Sequence, residues 1–585
     1  MSNQFTKHFG PKLPEDLIPK LEHLLKIFSI SAEELYINWE TFVTIRNDNN
    51  DTFDLANFNK LEQYIQEKLA KKSTARTPTS LKIRKLKTKN ASSPLNLGSS
   101  PTQYESSLTS PAVKRMKTEE TPSISTSTTP LKHELITTPL PSSPFRPIQS
   151  PGEVIESLND TLKITPEYEA QSVSLTASFD ESKYNFRSMR MKLLEAADVL
   201  DDQIDSMSSV FAKHYQIVLS NPTLQSQDEV SAVGRIVSDN PTVLEGLNSQ
   251  SLCLETSRLQ GVGKRIPLDL TRLEKFEFFP GQIVCLKGKN PTGQTFHVVE
   301  VLPPPILGPS VLGVDELVHE RDTDILVFKG PFTLNSELNF DIFTKATEDI
   351  MNNCNSIVLM GPFIDFNNKA IKTGAIPEEF NSFKTLEDIY IKVVLAALRK
   401  INQNIEIIVI PDVKDIVSRS SSYPQKPYPK PKKFKNYRNF PNPALFQIND
   451  ISIGVSNVDI FRNLKDIIGK SSNPNRFERI VNYIIEQRKF FPLFPSLEPL
   501  DVPYLGLTEF QSVPDVLILP SDLKPFAKII KNVLVINPGS FIKPNNGGSY
   551  VRLSIQRANQ DNTEAVEDGV INKIWERAKV EIIKT

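Results

Sequence analysis

No histidine occurs among the last 266 of the 585 residues: the chain has six, His8, His23, His133, His214, His297 and His319. A Ser-His-Asp or Cys-His constellation is therefore excluded beyond residue 319, as is a metal site that needs imidazole there. Cysteine is scarce as well. Cys253, Cys285 and Cys354 lack CxxC spacing, so neither a disulfide framework nor a structural zinc site is expected, and a reducing intracellular compartment fits best. Neither charge sign is in excess, with 68 Lys and Arg against 69 Asp and Glu, so any charge effect is local. No apolar run reaches the roughly 20 residues of a bilayer span, and the opening Met1-Ser2-Asn3-Gln4-Phe5 has no charged segment followed by an apolar one. The expectation is a soluble protein that is not secreted and has no membrane partner. A Gly-x-Ser-x-Gly elbow, a Walker-type Gly-Lys-Ser/Thr loop and an HExxH pair are all missing.

What is present divides the chain. Leu17, Leu21, Leu24, Leu25 and Phe28, then Leu55, Phe58, Leu61, Ile65 and Leu69, recur at helical spacing, with Ser31 and Glu34 at capping-box distance between them. They predict a small helical domain over residues 1–72. Residues 73–183 read as a disordered tether, because the apolar periodicity stops and Ser, Thr and Pro dominate. Basic residues outnumber acidic ones 13 to 4 over residues 71–150. Nine Ser/Thr-Pro pairs lie there, including Ser110, Thr129 and Ser143, and Thr129-Pro130-Leu131-Lys132 and Ser143-Pro144-Phe145-Arg146 place a base three residues after the hydroxyl. That spacing resembles cyclin-dependent-kinase substrates, and each phosphate would add about −1.5 to −2 charge. Lys114-Arg115-Met116-Lys117 resembles a nuclear-import signal.

One long helix is predicted over 184–220, with a connecting segment ending at residue 222. Period-two segments at 230–237, 251–257, 264–270, 282–289 and 295–302 then suit a five-stranded OB-type barrel over 223–305. Across 306–585, apolar strands at 324–329, 356–360, 405–410, 451–455, 514–519, 533–537 and 550–556 alternate with helices at 340–353, 384–402 and 475–489. Near-continuous hydrophobes such as Ile405 to Ile410 indicate a sheet covered on both faces. The fold class is multidomain: helical domain, tether, all-β barrel and a layered α/β domain.

Several strands end in turn-rich loops containing Gly330, Gly361-Pro362 with Asp365, Pro411-Asp412 with Asp415, and Asn537-Pro538-Gly539. Sites in layered α/β folds are built at such carboxyl ends. The order resembles calcineurin-like metallophosphoesterases, whose loops carry Asp-x-His, Gly-Asp, Gly-Asn-His and Gly-His-x-His. The resemblance is to the scaffold only, since Pro362 stands where a carboxylate would, and Pro411-Asp412 where an amide and an imidazole would. Asp365, Asp412 and Asp415 read as caps and turn formers, and neither metal nor cofactor is expected.

Residues 418–444 hold seven bases, Arg419, Lys426, Lys430, Lys432, Lys433, Lys435 and Arg438, with no acid. Tyr423, Tyr428, Phe434, Tyr437 and Phe440 are interleaved with them. Stacking plus phosphate contact would suit this mixture, yet its six prolines equally suit an extended arm lying on a protein partner. The second and third barrel strands lack aromatics, which favours protein docking over single-strand binding by the barrel.

Gly330-Pro-Phe-Thr333, Met360-Gly-Pro-Phe-Ile-Asp365, Tyr423-Pro-Gln-Lys-Pro427, Arg476-Phe-Glu-Arg-Ile480, Gln487-Arg-Lys-Phe-Phe-Pro492, Pro514-Asp-Val-Leu-Ile-Leu-Pro520, and Asn537-Pro-Gly539 through Arg552-Leu553 together resemble the B-subunit family of DNA polymerase alpha-primase, in its fungal form. The resemblance implies a nuclear, non-catalytic accessory subunit whose barrel docks on an inactivated phosphoesterase-like domain. It also implies partners: the zinc-binding C-terminal module of the catalytic subunit, primase through the complex, and other replication factors through the N-terminal domain, with DNA contact open. The rival readings are a divergent active metallophosphoesterase and an independent single-strand DNA-binding protein.

Overall fold

Alternation with a period of two between residues 226 and 302 curls the chain into a closed barrel. Its strands are β3 (Ser226–Ser238), β4 (Leu252–Glu255), β5 (Arg265–Asp269), β7 (Ile283–Asn290) and β8 (Phe296–Leu302), in the order β3-β4-β5-β8-β7. The parallel β5–β8 pairing closes it, and Ile236, Leu254, Ile266, Leu286, Phe296 and Val298 fill the interior. In this computed structural model the described residues are 151–164, 173–239, 247–313, 321–471, 473–543, 547–559, 561–566 and 569–585, with Leu21, Leu35, Trp39 and Leu61. Those four are helical and buried. The rest of the predicted helical domain, Ser110, Thr129, Ser143 and the import candidate Lys114, Arg115 and Lys117 lie outside the described residues. Of two compact units, Asn59–Pro147 contributes only Leu61 to them, and the architecture that follows belongs to the other.

The predicted 184–220 helix is shorter, α1 (Leu193–Tyr215). The Met189 amide donates to Asp501 Oδ1 at 2.7 Å, pinning the preceding segment in a non-helical path. Gln216, in the left-handed region, stops the other end. Ile204, Met207 and Phe211 of α1 pack on Val233, Ile283 and Cys285 of the barrel.

Two sheets face each other in the α/β domain. The first joins β1 (Val154–Leu158), β23 (Ala578–Lys584), β20 (Ser549–Ile555), β10 (Thr323–Lys329), β11 (Ser356–Met360), β12 (Glu406–Ile410) and β13 (Tyr437–Asn439) in that order. Its members β10 to β13 are parallel. The second runs β18 (Phe526–Ile530), β19 (Val533–Asn537), β17 (Val516–Ile518), β15 (Ile451–Val455), β14 (Ala444–Ile448), β2 (Leu175–Ala177). Ile325, Val358 and Ile408 meet Ile453, Val516 and Ile536 in the dry layer between them. The outer face of the first sheet is covered by α2 (Asp341–Asp349) and the helical segment 386–398, and that of the second by α3 (Arg476–Gln487). Small pairings complete the fold: β6 (Phe276–Phe278) with β16 (Ile468–Lys470), and β21 (Thr563–Val566) with β22 (Gly569–Asn572) and β9 (Val311–Leu312).

One expectation needs correction. The tether predicted to reach residue 183 ends earlier, because β1 pairs with β23 and β2 with β14, each finishing an edge of one sheet. A strand of three to five residues at an edge buries one side at most and leaves little periodicity to read. The barrel is fixed to the α/β domain. The Gln487 side chain accepts from Ile283 N at 2.9 Å and donates to Ile283 O at 3.0 Å, while a Cβ on Gly281 (φ +88°) would lie 2.5 Å from the Phe494 backbone.

Candidate functional site at the strand carboxyl ends

The expected loops converge where β10, β11, β12, β15, β17 and β19 end, but they close on one another. A Cβ on Gly330 would stand 2.2 Å from Pro362 O, and one on Gly361 would stand 2.8 Å from Tyr428 Oη and 3.1 Å from Asp412 Cβ. Only glycine permits approach this close. Asn457, just after β15, donates from Nδ2 to Gly361 O and Pro411 O, both at 3.1 Å, stitching two loops together.

Each predicted carboxylate is already engaged. Asp365 Oδ1 accepts from Asn367 N at 2.8 Å and Asp412 Oδ1 from Lys414 N at 2.7 Å, so both form local turns. Asp415 is the most committed. Its Oδ2 accepts from Phe363 N at 2.5 Å and Tyr428 Oη at 2.8 Å, and its Oδ1 from Val417 N at 3.2 Å and Ile364 N at 3.3 Å. Burial pushes the Asp415 carboxyl up to about 7 despite these donors, and burial also raises Asp412.

Beside them lies an ion network that sequence reasoning missed. Asp522, after β17, accepts from Lys329 Nζ at 2.8 Å and Ser540 Oγ at 3.0 Å, with Arg462 at 3.5 Å. Lys543 Nζ donates to the Asp522 carbonyl at 2.9 Å. Lys329 foremost holds the Asp522 carboxyl well below its usual range. Burial works against the charge on Lys414, but Asp522 and Asp412 outweigh it and keep that ammonium protonated. Asp459 Oδ2 accepts from Ser521 Oγ at 2.8 Å and Asp522 N at 3.0 Å. Polar pairs directly after apolar strands, Ser456-Asn457 and Ser521-Asp522, were the available signal.

A two-metal centre needs imidazoles and free carboxylates holding ions about 3.5–4 Å apart. The donor set does not fit: no imidazole stands here, Asp415 is bonded through both oxygens to loop amides and a tyrosine, and Asp365 and Asp412 each accept a local amide. Among the described residues no group of three or more His, Cys, Asp or Glu is placed to hold a metal ion. Asn537 caps its loop through Ser521 N at 2.8 Å and Gly539 N at 3.0 Å, and Pro538 O accepts from Ser549 Oγ at 2.6 Å. The three cysteines are free and buried, and burial raises Cys253 to about 11 and Cys285 to about 12.

Residues 418–444 depart from the expected arm. Tyr423, Tyr428, Tyr437 and Phe440 are buried, and Tyr437 Oη lies 2.8 Å from Tyr390 Oη. The aromatics therefore anchor the segment in the domain and offer no stacking platform. Arg438 pairs with Glu406 at 3.2 Å; Arg419, Lys430, Lys432, Lys433 and Lys435 are exposed, and Lys426 is half-buried.

Fold and site define a two-module protein, a small barrel fixed to an α/β domain whose strand-end loops are bonded to one another. Residues 197–304 match the family model for the OB domain of the DNA polymerase alpha B-subunit, and residues 325–528 match the model for the B-subunit of DNA polymerases alpha and epsilon. The DNA polymerase alpha B-subunit of Saccharomyces cerevisiae is 32% identical, covering 98% of each chain. That of Schizosaccharomyces pombe is 32% identical over 97% of this chain and 99% of its own, and that of Bos taurus 25% over 89% of each. The chain belongs to the DNA polymerase alpha B-subunit family. Among solved structures, Vps29 of Cryptosporidium parvum aligns over 45% of this chain and 99% of its own at 11% identity and a TM-score of 0.21. Vps29 of Chaetomium thermophilum aligns over 45% and 100% at 12% and 0.19.

Proposed function

We propose that this protein is a non-catalytic accessory subunit of a DNA polymerase alpha-primase assembly and acts in the nucleus during initiation of DNA replication. The observation that carries this reading is the strand-end loop cluster: it has no imidazole, its Asp415 takes four donors from the loops, and Asp365 and Asp412 each accept a loop amide, within a chain of this family. An inactivated phosphoesterase-like domain with pre-ordered loops presents backbone groups to a partner at little entropic cost. The partners proposed are the zinc-binding C-terminal module of the catalytic subunit, primase through that subunit, and further replication factors through the N-terminal region. In this reading Thr129, Ser143 and Ser110 are cell-cycle phosphorylation sites, and Lys114, Arg115 and Lys117 serve nuclear import.

Copurification from dividing cells followed by crosslinking mass spectrometry tests the scaffold. Crosslinks from the barrel and the strand-end loops to a polymerase catalytic subunit are expected. Their absence, or Mn²⁺-dependent hydrolysis of activated phosphate esters by the purified chain that is lost on Asp412→Ala, overturns the reading.

A further inference from the structure

The loop entering β13 concentrates four exposed lysines within six residues. Lys430, Lys432, Lys433 and Lys435 are all exposed, and among the described residues none of the four has a carboxylate within 4.0 Å. Nearby acids are already taken: Glu406 pairs with Arg438 at 3.2 Å and Glu348 with Lys400 at 2.8 Å.

This ribbon is held in place. Arg399, at the end of the 386–398 helix, donates to Lys432 O at 3.0 Å, and its guanidinium lies 5.3 Å from the centre of the Phe434 ring. Asn439 Nδ2 donates to Tyr428 O at 2.8 Å and Pro429 O at 3.2 Å, and Arg438 Nη1 to Lys435 O at 2.8 Å. Lys433 adopts φ +54°, a conformation uncommon for a side chain of its size. Such strain persists where surrounding structure over-determines it, and it collects at ligand-gripping loops.

We infer that the 430–435 loop is a sequence-independent contact for the phosphate backbone of nucleic acid. A protein partner fits less well, because interface cores are built from aromatic and apolar anchors and are poor in lysine. Here Tyr428 and Tyr437 are buried and Phe434 is covered by Arg399. The same burial removes base stacking, so binding rests on ammonium–phosphate contacts and displaced counterions. This inference stands independently of the scaffolding role.

The test uses the full chain and a fluorescein-labelled 30-base-pair DNA duplex of mixed sequence, titrated by anisotropy between 50 and 200 mM NaCl. The variant K430A/K432A/K433A/K435A is compared with wild type and with the charge-preserving K430R/K432R/K433R/K435R. Each lost phosphate contact lowers the slope of log affinity against log salt by about 0.9. Four contacts predict a slope shallower by roughly 3 to 4 and a loss of about tenfold or more at the low-salt end for the alanine variant, with the arginine variant unchanged. Because other basic segments are common to all three proteins, the difference isolates the loop. Equal slopes and affinities in wild type and the alanine variant overturn the inference. So does a variant that keeps duplex affinity yet loses binding to poly-glutamate, which would assign the loop to an acidic protein. An arginine variant that fails like the alanine one, with an unchanged melting temperature, also overturns it.

Discussion

Asp415 offers the sharpest check on the site. Four donors converge on its carboxyl, yet only 4% of the residue is exposed, and burial sets its pKa at about 7. In the unfolded chain an aspartate titrates near 3.8. Because the folded value is raised, the stabilising contribution is complete below the unfolded pKa and is lost progressively as pH rises towards the folded one. At about 1.4 kcal/mol per pH unit, the loss between pH 5 and pH 8 amounts to about 3 kcal/mol. Asp415→Asn cannot titrate, and it keeps Oδ1 for Ile364 N and Val417 N. Its amide nitrogen faces the Phe363 N–H, a fixed cost of about 1–3 kcal/mol at every pH. Urea unfolding of both proteins at pH 5, 6, 7 and 8 separates the two effects. The variant should be the less stable at pH 5 and should gain on wild type by about 3 kcal/mol by pH 8. A stability difference that stays constant across this range would refute the reasoning, because the four donors would then hold an ordinary ionised carboxylate.

Two further outcomes follow from buried pairs. Gln487→Ala removes both bonds to Ile283 and leaves that backbone unsatisfied at the joint between the modules, at a cost of about 2–4 kcal/mol; hydrogen exchange in β7 should accelerate, with exchange in β11 unchanged. Arg577, 2% exposed, bonds Asp450, Gln556 O and Asn572. Arg577→Met strands the buried Asp450 charge and should cost about 3–5 kcal/mol by denaturant unfolding, whereas Asp450→Asn combined with Arg577→Met should recover part of the loss.

Local patterns made the central strands readable. Ile405 to Ile410 is apolar except for Glu406, and β12 is buried at every position. The barrel segment predicted at 282–289 is β7 at Ile283–Asn290, because alternation and the flanking Gly and Pro punctuate it. Edge strands were missed, as β1 and β2 show, since half of their few residues face water. β23, which does alternate, went unread among charged neighbours, although its Val580 and Ile582 are fully buried. The position of the loop cluster was legible from Gly330, Gly361 and Pro411, but its chemistry was not: Lys329 and Asp522 are 193 residues apart, and no local pattern joins them. Tyr428 and Tyr437 were misread for a related reason. Lysines around them implied solvent, whereas the chain turns rings inward and ammonium groups outward within one short ribbon.

Strand ends that converge bring carbonyls and carboxylates together, and that concentration of negative charge needs an offset. Here Lys329, Lys414, Arg462 and Lys543 surround Asp522 and supply it. Pro331, Pro362 and Pro411 remove amide donors that would otherwise need partners, and Gly330 and Gly361 let the loops collapse to contact. The product is a surface whose loops are ordered before any partner arrives. Its entropic cost is met during folding, before any other chain binds.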